Sequence, residues 1–208
     1  MIFDSLGTID FLLIEKELVM KELKERIILQ GKILDGDVIK VGSFLNQQID
    51  TALLKKMAQE VKNRFDNEEI TKVLTIEASG IPFACAIAME LNIPFVFAKK
   101  GKASNVCGDI IKADVYSYTH KEKNEIILTK EYISPQDKVL IADDFLANGE
   151  ALRGLISLVE QCHAQLVGCV VQIEKAYQNG GNALRRLGYR IESLASIKQI
   201  NGSTIIFN

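Results

Sequence analysis

Two stretches of this chain follow one pattern. Residues 72–91, KVLTIEASGIPFACAIAMEL, pass from an apolar strand through a small-residue turn into a helix with Pro82 near its first turn. Residues 139–159, VLIADDFLANGEALRGLISLV, do the same around Gly149. Residues 93–100, IPFVFAKK, and 166–175, LVGCVVQIEK, read as further strands that are apolar nearly throughout. A strand of this kind must be covered on both faces, and helices packed on both sides of a parallel sheet provide that cover. The expected fold class is therefore α/β, with a mostly parallel central sheet flanked by helices.

The rest of the chain fits around this frame. Leu23, Ile27 and Ile28 predict an amphipathic helix from Met20 to Gln30, stopped by Gly31. Residues 38–50, VIKVGSFLNQQID, read as an irregular strand and loop. Leu53, Leu54, Met57, Ala58, Val61 and Phe65 recur at helical spacing, with Asp50 or Thr51 as cap. Residues 101–113, GKASNVCGDIIKA, lack periodicity and read as a mobile loop. DVYSYTH and NEIILTK predict an edge hairpin turning near Lys121 to Lys123. A short helix over GGNALRRLG and a strand over YRIESLASI complete the pattern. The expected organisation is an N-terminal extension, residues 1–19, followed by one domain over residues 20–208.

Composition narrows the function. With 208 residues, 48% of them hydrophobic, the chain can bury a substantial core. A formal charge of −2 supplies no general basic field for nucleic acid or an acidic membrane, so a small ligand is expected. No apolar run approaches the roughly 20 residues that span a bilayer. The four cysteines, Cys85, Cys107, Cys162 and Cys169, have no metal-ligand spacing and read as reduced thiols, which suits the cytoplasm. The extension carries Asp4, Asp10, Glu15 and Glu17 where a signal peptide wants positive charge.

The chemistry concentrates at Asp143 and Asp144. Ligands of open parallel sheets gather at the carboxyl ends of the strands. Neighbouring residues of an extended strand point to opposite sides, so at least one of the two acids should face the crevice. Sugar hydroxyls or a hydrated metal ion would satisfy such carboxylates. The following turn, Ala147 to Ala151, offers backbone N–H groups and a helix N-terminus to an anion such as phosphate. Read alone, the pair of acids equally describes a capped and solvated strand-to-helix turn. Neither a Walker A loop nor a Gly-x-Gly-x-x-Gly fingerprint is present.

VLIADDFLANGEA resembles the phosphoribosyl-diphosphate motif of the type I phosphoribosyltransferases: an apolar strand, two acids, two apolar positions and a small phosphate loop. From Met20 onward VGSFLNQQID, TKVLTIEASGI, PFVFAKK, VYSYT, IEKAYQ and LGYRIESLA are similar to the bacterial, xanthine-using branch of that family. The resemblance implies a small hood formed by N- and C-terminal segments. It also implies transfer of the phosphoribosyl group from phosphoribosyl diphosphate to a purine base, with release of pyrophosphate.

By that resemblance Asp143 and Asp144 hold the ribose hydroxyls and set negative charge beside a cationic transition state. Ala147, Asn148, Gly149, Glu150 and Ala151 grip the 5′-phosphate. Glu77, Ala78, Ser79 and Gly80 cradle the diphosphate, with Mg²⁺ bridging its oxygens and Asp143 or Asp144 as candidate ligands. Read alone, EASG is an ordinary strand-to-helix turn. Lys99, Lys100 and Lys102 are either a solvated run or part of a lid that meets the diphosphate, in their own subunit or across a homodimer.

Lys175, at the end of an apolar strand, can donate to an exocyclic oxygen but offers nothing to an adenine amino group. Ile39 and Asn46 are implied as base contacts from the hood, with Leu146 and Tyr177 as apolar walls. Some relatives that use hypoxanthine or guanine have an acid where this chain has Ala147, near a base nitrogen. Its absence is consistent with xanthine, which loses a proton readily. The alternatives are a hypoxanthine or guanine phosphoribosyltransferase and a non-catalytic sensor of phosphoribosyl diphosphate.

Overall fold

The computed structural model describes residues 21–34, 38–101, 108–117 and 122–208. The extension and residues 102–107 of the expected loop, Lys102 and Cys107 among them, lie outside these residues. Residues 21–30 form α1, and Gly31 closes it by donating its N–H to Ile27 O at 3.0 Å. A hairpin of β1 (Lys32–Leu34) and β2 (Val38–Lys40) leads into one π-helical turn, Gly42–Asn46. Asp50 then caps α2 (Thr51–Arg64), its Oδ1 accepting from the N–H groups of Ala52 and Leu53 at 3.1 Å each.

The strand-to-helix units follow in order. β3 (Lys72–Ile76) feeds α3 (Ile81–Leu91), and β4 (Phe95–Lys100) returns parallel to β3. β5 (Ile110–Ser117) and β6 (Glu122–Thr129) form the antiparallel hairpin, with β6 paired to β4. β7 (Lys138–Leu146) leads to α4 (Glu150–Gln161), β8 (Gln165–Lys175) to α5 (Gly180–Arg186), and β9 (Ile191–Asn201) to β10 (Thr204–Phe207).

The eight-stranded sheet runs β10-β9-β8-β7-β3-β4-β6-β5. Its centre, β9 to β4, is parallel, and both edges are antiparallel. Leu23, Met57, Phe83 and Ile87 from α1, α2 and α3 bury one core. Leu152, Leu155, Ile156 and Leu184 from α4 and α5 bury the other. The expected two-faced α/β architecture is what the chain adopts.

Three boundaries differ from the sequence reading. Ile110 to Ala113, read as loop, are the start of β5, where they pair with Thr129 to Ile126. Glu122 and Lys123, read as turn, already pair with Ser117 and Tyr116. β10 was not anticipated; it extends the main sheet from β9, and Lys24 Nζ of α1 donates to Asn208 O at 3.1 Å. The N- and C-terminal segments thus meet, as a hood built from both requires.

Candidate active site

Both aspartates face one cleft of about 530 Å³ at the carboxyl ends of β3 and β7. β7 runs past Ala142 to Leu146 and carries the acids near its end. Alternation does not hold there: Ala142 and Phe145 pack toward one core while Ile141 and Leu146 belong to the other. The alternation changes phase between Ala142 and Phe145, and both Asp143 and Asp144 line the same opening.

The two carboxylates differ in environment. Asp143 is 5% exposed, and its Oδ1 accepts the N–H of Asp144 at 2.9 Å. Burial, reinforced by the charge of Asp144, pushes Asp143 well above the usual carboxylate range. Lys100 opposes that shift from across the cleft. Asp144 is half-buried, and Asn46 Nδ2 donates to its Oδ2 at 3.3 Å. The π-helical turn of the N-terminal segment thus reaches the acid pair directly.

Ala147, Asn148, Gly149, Glu150 and Ala151 all line the cleft. Gly149 takes φ +87°, which a side chain would resist, and serves as the N-cap of α4 with no side-chain cap. The first N–H groups of α4 are thereby left to a ligand. On the other side Glu77, Ser79 and Gly80 line the cleft, while Ala78 completes the turn without lining it. Glu77 also braces the structure, because its Oε1 accepts the N–H of Lys100 at 2.7 Å and so ties the turn to β4. The Glu77–Ala78 peptide is cis.

The two lysines of β4 separate. Lys100 lines the cleft and is exposed, whereas Lys99 is half-buried and is not among the lining residues. Lys175 ends β8 with its ammonium 5.9 Å from the Phe145 ring centroid. Leu146 lines the cleft although it is 1% exposed. Ile39, at 6% exposure, lies in the core with Val41 and Phe44 and is not a lining residue. Tyr177 lines a separate polar cleft beside Glu174 and Arg185.

Sequence reasoning missed several contributors. Phe145, half-buried, lines the cleft beside the acids; the run DDFL marked it only as apolar. Val115, Asn124 and Ile126 of the hairpin also line it, and no local signal points from an edge hairpin to a distant turn. Gly180 donates its N–H to Ala147 O at 3.2 Å, so α5 buttresses the turn that follows the acids. Two glycines opening a helix, where better helix formers are usual, were the available clue.

α5 is itself anchored by charge. Arg185 binds Glu174 through two hydrogen bonds of 2.8 Å, and Ser193 Oγ donates to the same carboxylate. Burial opposes ionisation of Glu174, but the hydrogen bonds of Arg185 and Ser193 and the charge of Arg185 outweigh it and hold the group below its ordinary value. Arg185→Met is expected to cost about 2 kcal/mol, less than a fully buried pair because Arg185 is 37% exposed and water screens it. A depressed carboxyl stabilises the fold above its unfolded pKa and loses that contribution as pH falls through the folded value. Denaturation of both proteins at pH 7 and below pH 4 should therefore show the difference shrinking in acid.

Among the described residues no cluster of three or more His, Cys, Asp or Glu forms a metal cage. Mg²⁺ commonly takes one or two carboxylates and completes its shell with water and substrate phosphates, and Asp143 and Asp144 have the donor chemistry for that. No described helix is long and apolar enough to cross a membrane.

The profile of the phosphoribosyl transferase domain matches residues 40–181. The chain is 49% identical over 188 residues to a xanthine phosphoribosyltransferase of Bacillus cytotoxicus, covering 90% of this chain and 95% of that protein. It is 48% identical to one from Bacillus cereus over the same shares. Adenine phosphoribosyltransferase from Giardia lamblia, solved with 9-deazaadenine, superposes with a TM-score of 0.73 at 22% identity, covering 85% of this chain and 98% of that one. The Trypanosoma brucei enzyme, solved with AMP, pyrophosphate and ribose-5-phosphate, gives 0.70 at 22% identity, covering 84% and 79%. The two solved structures share the fold, and the match of sequence over nine-tenths of the length carries the rest: the chain belongs to the phosphoribosyl transferase family.

Proposed function

We propose that this member of the family, a pentosyl transferase, joins xanthine to phosphoribosyl diphosphate, releasing pyrophosphate and forming xanthosine monophosphate in purine salvage. One observation carries the reading: two carboxylates and an uncapped helix N-terminus open onto the same cleft, which suits a ligand bearing both hydroxyls and a phosphate. The similarity to xanthine phosphoribosyltransferases supports the choice of base.

In the reaction the anomeric carbon loses its bond to pyrophosphate and gains one to a base nitrogen, whose proton leaves with the solvent or before binding. Asp143 and Asp144 hold the ribose hydroxyls and place negative charge beside the ring as it becomes cationic. Backbone N–H groups of Ala147 to Ala151 bind the 5′-phosphate. Those of Ala78, Ser79 and Gly80, with Lys100 and Lys99, receive the diphosphate. Mg²⁺, held by the diphosphate and one or both aspartates, would lower the charge on the leaving group.

Phe145 supplies an apolar face to the base, beside Lys175, whose ammonium donates to an exocyclic oxygen. Asn46 links the base side of the cleft to Asp144, while Ile39 and Leu146 support the hood and floor. Ala147 offers no general base, in keeping with a base that deprotonates easily.

A single domain over residues 20–208, with residues 1–19 as an appendage, is part of this reading. So is a homodimer: Met89, 77% exposed, shares a groove with Phe95, whose ring centroid lies 6.5 Å from that of Phe97, itself 36% exposed on the strand that ends in Lys99 and Lys100. The cytoplasm is the proposed compartment, in keeping with the unpaired thiols Cys85, Cys162 and Cys169.

Comparing kcat/KM for xanthine, guanine, hypoxanthine and adenine tests the substrate. Xanthine should lead, and equal or better use of hypoxanthine would overturn the choice. Ligand binding without turnover would mark a sensor instead of an enzyme. Lys175→Ala should raise the KM for xanthine about 10-fold with less change in kcat, the loss expected for one charged hydrogen bond. An unchanged order of preference in that variant rejects its role in specificity.

A further inference from the structure

Beneath the diphosphate turn lies a polar group that no part of this scheme uses. Thr75 sits in β3, between β4 and β7 at the centre of the sheet. It is 0% exposed, and its Oγ1 has no hydrogen-bond partner among the described residues. A buried hydroxyl left unpaired is costly, so a valine of the same shape would normally be the better occupant.

Gly80 shows where the hydroxyl points. A Cβ at Gly80 would collide with Thr75 Oγ1, would lie 2.8 Å from Asp143 Oδ1, and would lie 3.3 Å from Ile76 O. The hydroxyl and the carboxylate therefore converge on the same side of residue 80, in space that a side chain there would take.

We propose that Thr75 is a positioning residue for Asp143, its hydroxyl donating to the carboxylate after a small rotation of either side chain or through one water beside Gly80. Asp143 has few other restraints: its Oδ1 takes the N–H of Asp144, and burial gives it little help from solvent. A donor behind the carboxylate fixes which oxygen is presented to the sugar. Preorganisation of this sort acts on the transition state more than on ground-state binding. The inference rests on the proposed ribose role of Asp143 and adds a residue to it.

Thr75→Val and Thr75→Ser separate this role from simple packing. Thr75→Val should lower kcat about 10-fold, the scale of one hydrogen bond to a charged group, with the KM for xanthine nearly unchanged. Its melting temperature should equal or exceed that of the parent. Thr75→Ser should recover most of kcat while melting lower, because it keeps the hydroxyl and loses the methyl. Wild-type kcat in Thr75→Val, or equal loss in both variants, overturns the proposal. Asp143→Asn and the double variant distinguish the two levels. Full activity of Asp143→Asn defeats the ribose role itself. A strongly impaired Asp143→Asn whose loss simply multiplies with that of Thr75→Val defeats only the link between them.

Discussion

Asp144→Asn is expected to lower kcat by about 10²-fold or more, equivalent to about 2.7 kcal/mol of transition-state stabilisation. The substitution keeps the shape of the side chain and removes its charge. It also exchanges one acceptor oxygen for a donor, which upsets the contact in which Asn46 Nδ2 reaches Asp144 Oδ2 at 3.3 Å. Asp144 is the more accessible of the pair, while burial and its neighbour's charge make ionisation of Asp143 unfavourable. Asp144 is therefore expected to be the acid more open to the sugar. Because the two acids are neighbours that share a hydrogen bond, the effects of single substitutions should not add. Steady-state kinetics with xanthine and phosphoribosyl diphosphate measures this directly. Turnover at the parent rate would remove Asp144 from the groups that act on the transition state.

That prediction uses what the sequence made legible, and the structure explains why it was legible. The run VLIADDFLANGEA encodes strand, acids and turn within thirteen consecutive residues, so local chemistry decides the geometry. Uniformly apolar strands such as VLIA and LVGCVVQI likewise reveal a sheet covered on both faces. Contacts between distant parts of the chain were not visible in this way. Nothing local to Asn46 announces Asp144, and nothing in GGNALRR announces Ala147. The start of β5 was lost for another reason: Ile110 and Ile111 are followed by Lys112 and Asp114 on an edge strand, where one side needs no apolar cover. Ile39, whose role is implied by resemblance alone, is packed in the core, a placement that its short segment VIK does not announce.

Glu174 adds a further lesson about charge in apolar strands. It is 2% exposed, ends a run of buried residues, and its partner Arg185 arrives from α5 eleven positions later. Its neighbour Lys175 turns to Phe145, so two adjacent charges leave β8 in different directions. One anchors the helix behind the turn proposed to bind phosphate, and the other is proposed to meet the base. A charge at the end of a buried strand thus identifies a functional edge without stating what the charge does there.

The helix anchored by Glu174 leads to the second large effect. Gly180→Ala is expected to reduce kcat/KM for phosphoribosyl diphosphate by about 10²-fold, the loss associated with moving a reacting group by about 1 Å. A Cβ at Gly180 would collide with Ala147 O and Asn148 C and would approach Gly149 N to 2.6 Å. These are backbone atoms of the loop proposed to bind the 5′-phosphate, so no flexible side chain can yield in their place. Either the loop shifts outward or α5 withdraws, and the bond from Gly180 N–H to Ala147 O at 3.2 Å is lost in both cases. Withdrawal of α5 is resisted by the two bonds from Arg185 to Glu174, so the loop should give way. Its N–H groups then miss the 5′-phosphate while Lys175 and Phe145 keep their places. Calorimetry should accordingly show weakened binding of phosphoribosyl diphosphate, and thermal denaturation should show a folded protein. Parent-like affinity in a folded Gly180→Ala would mean that the loop holds its own shape and that α5 contributes nothing to it.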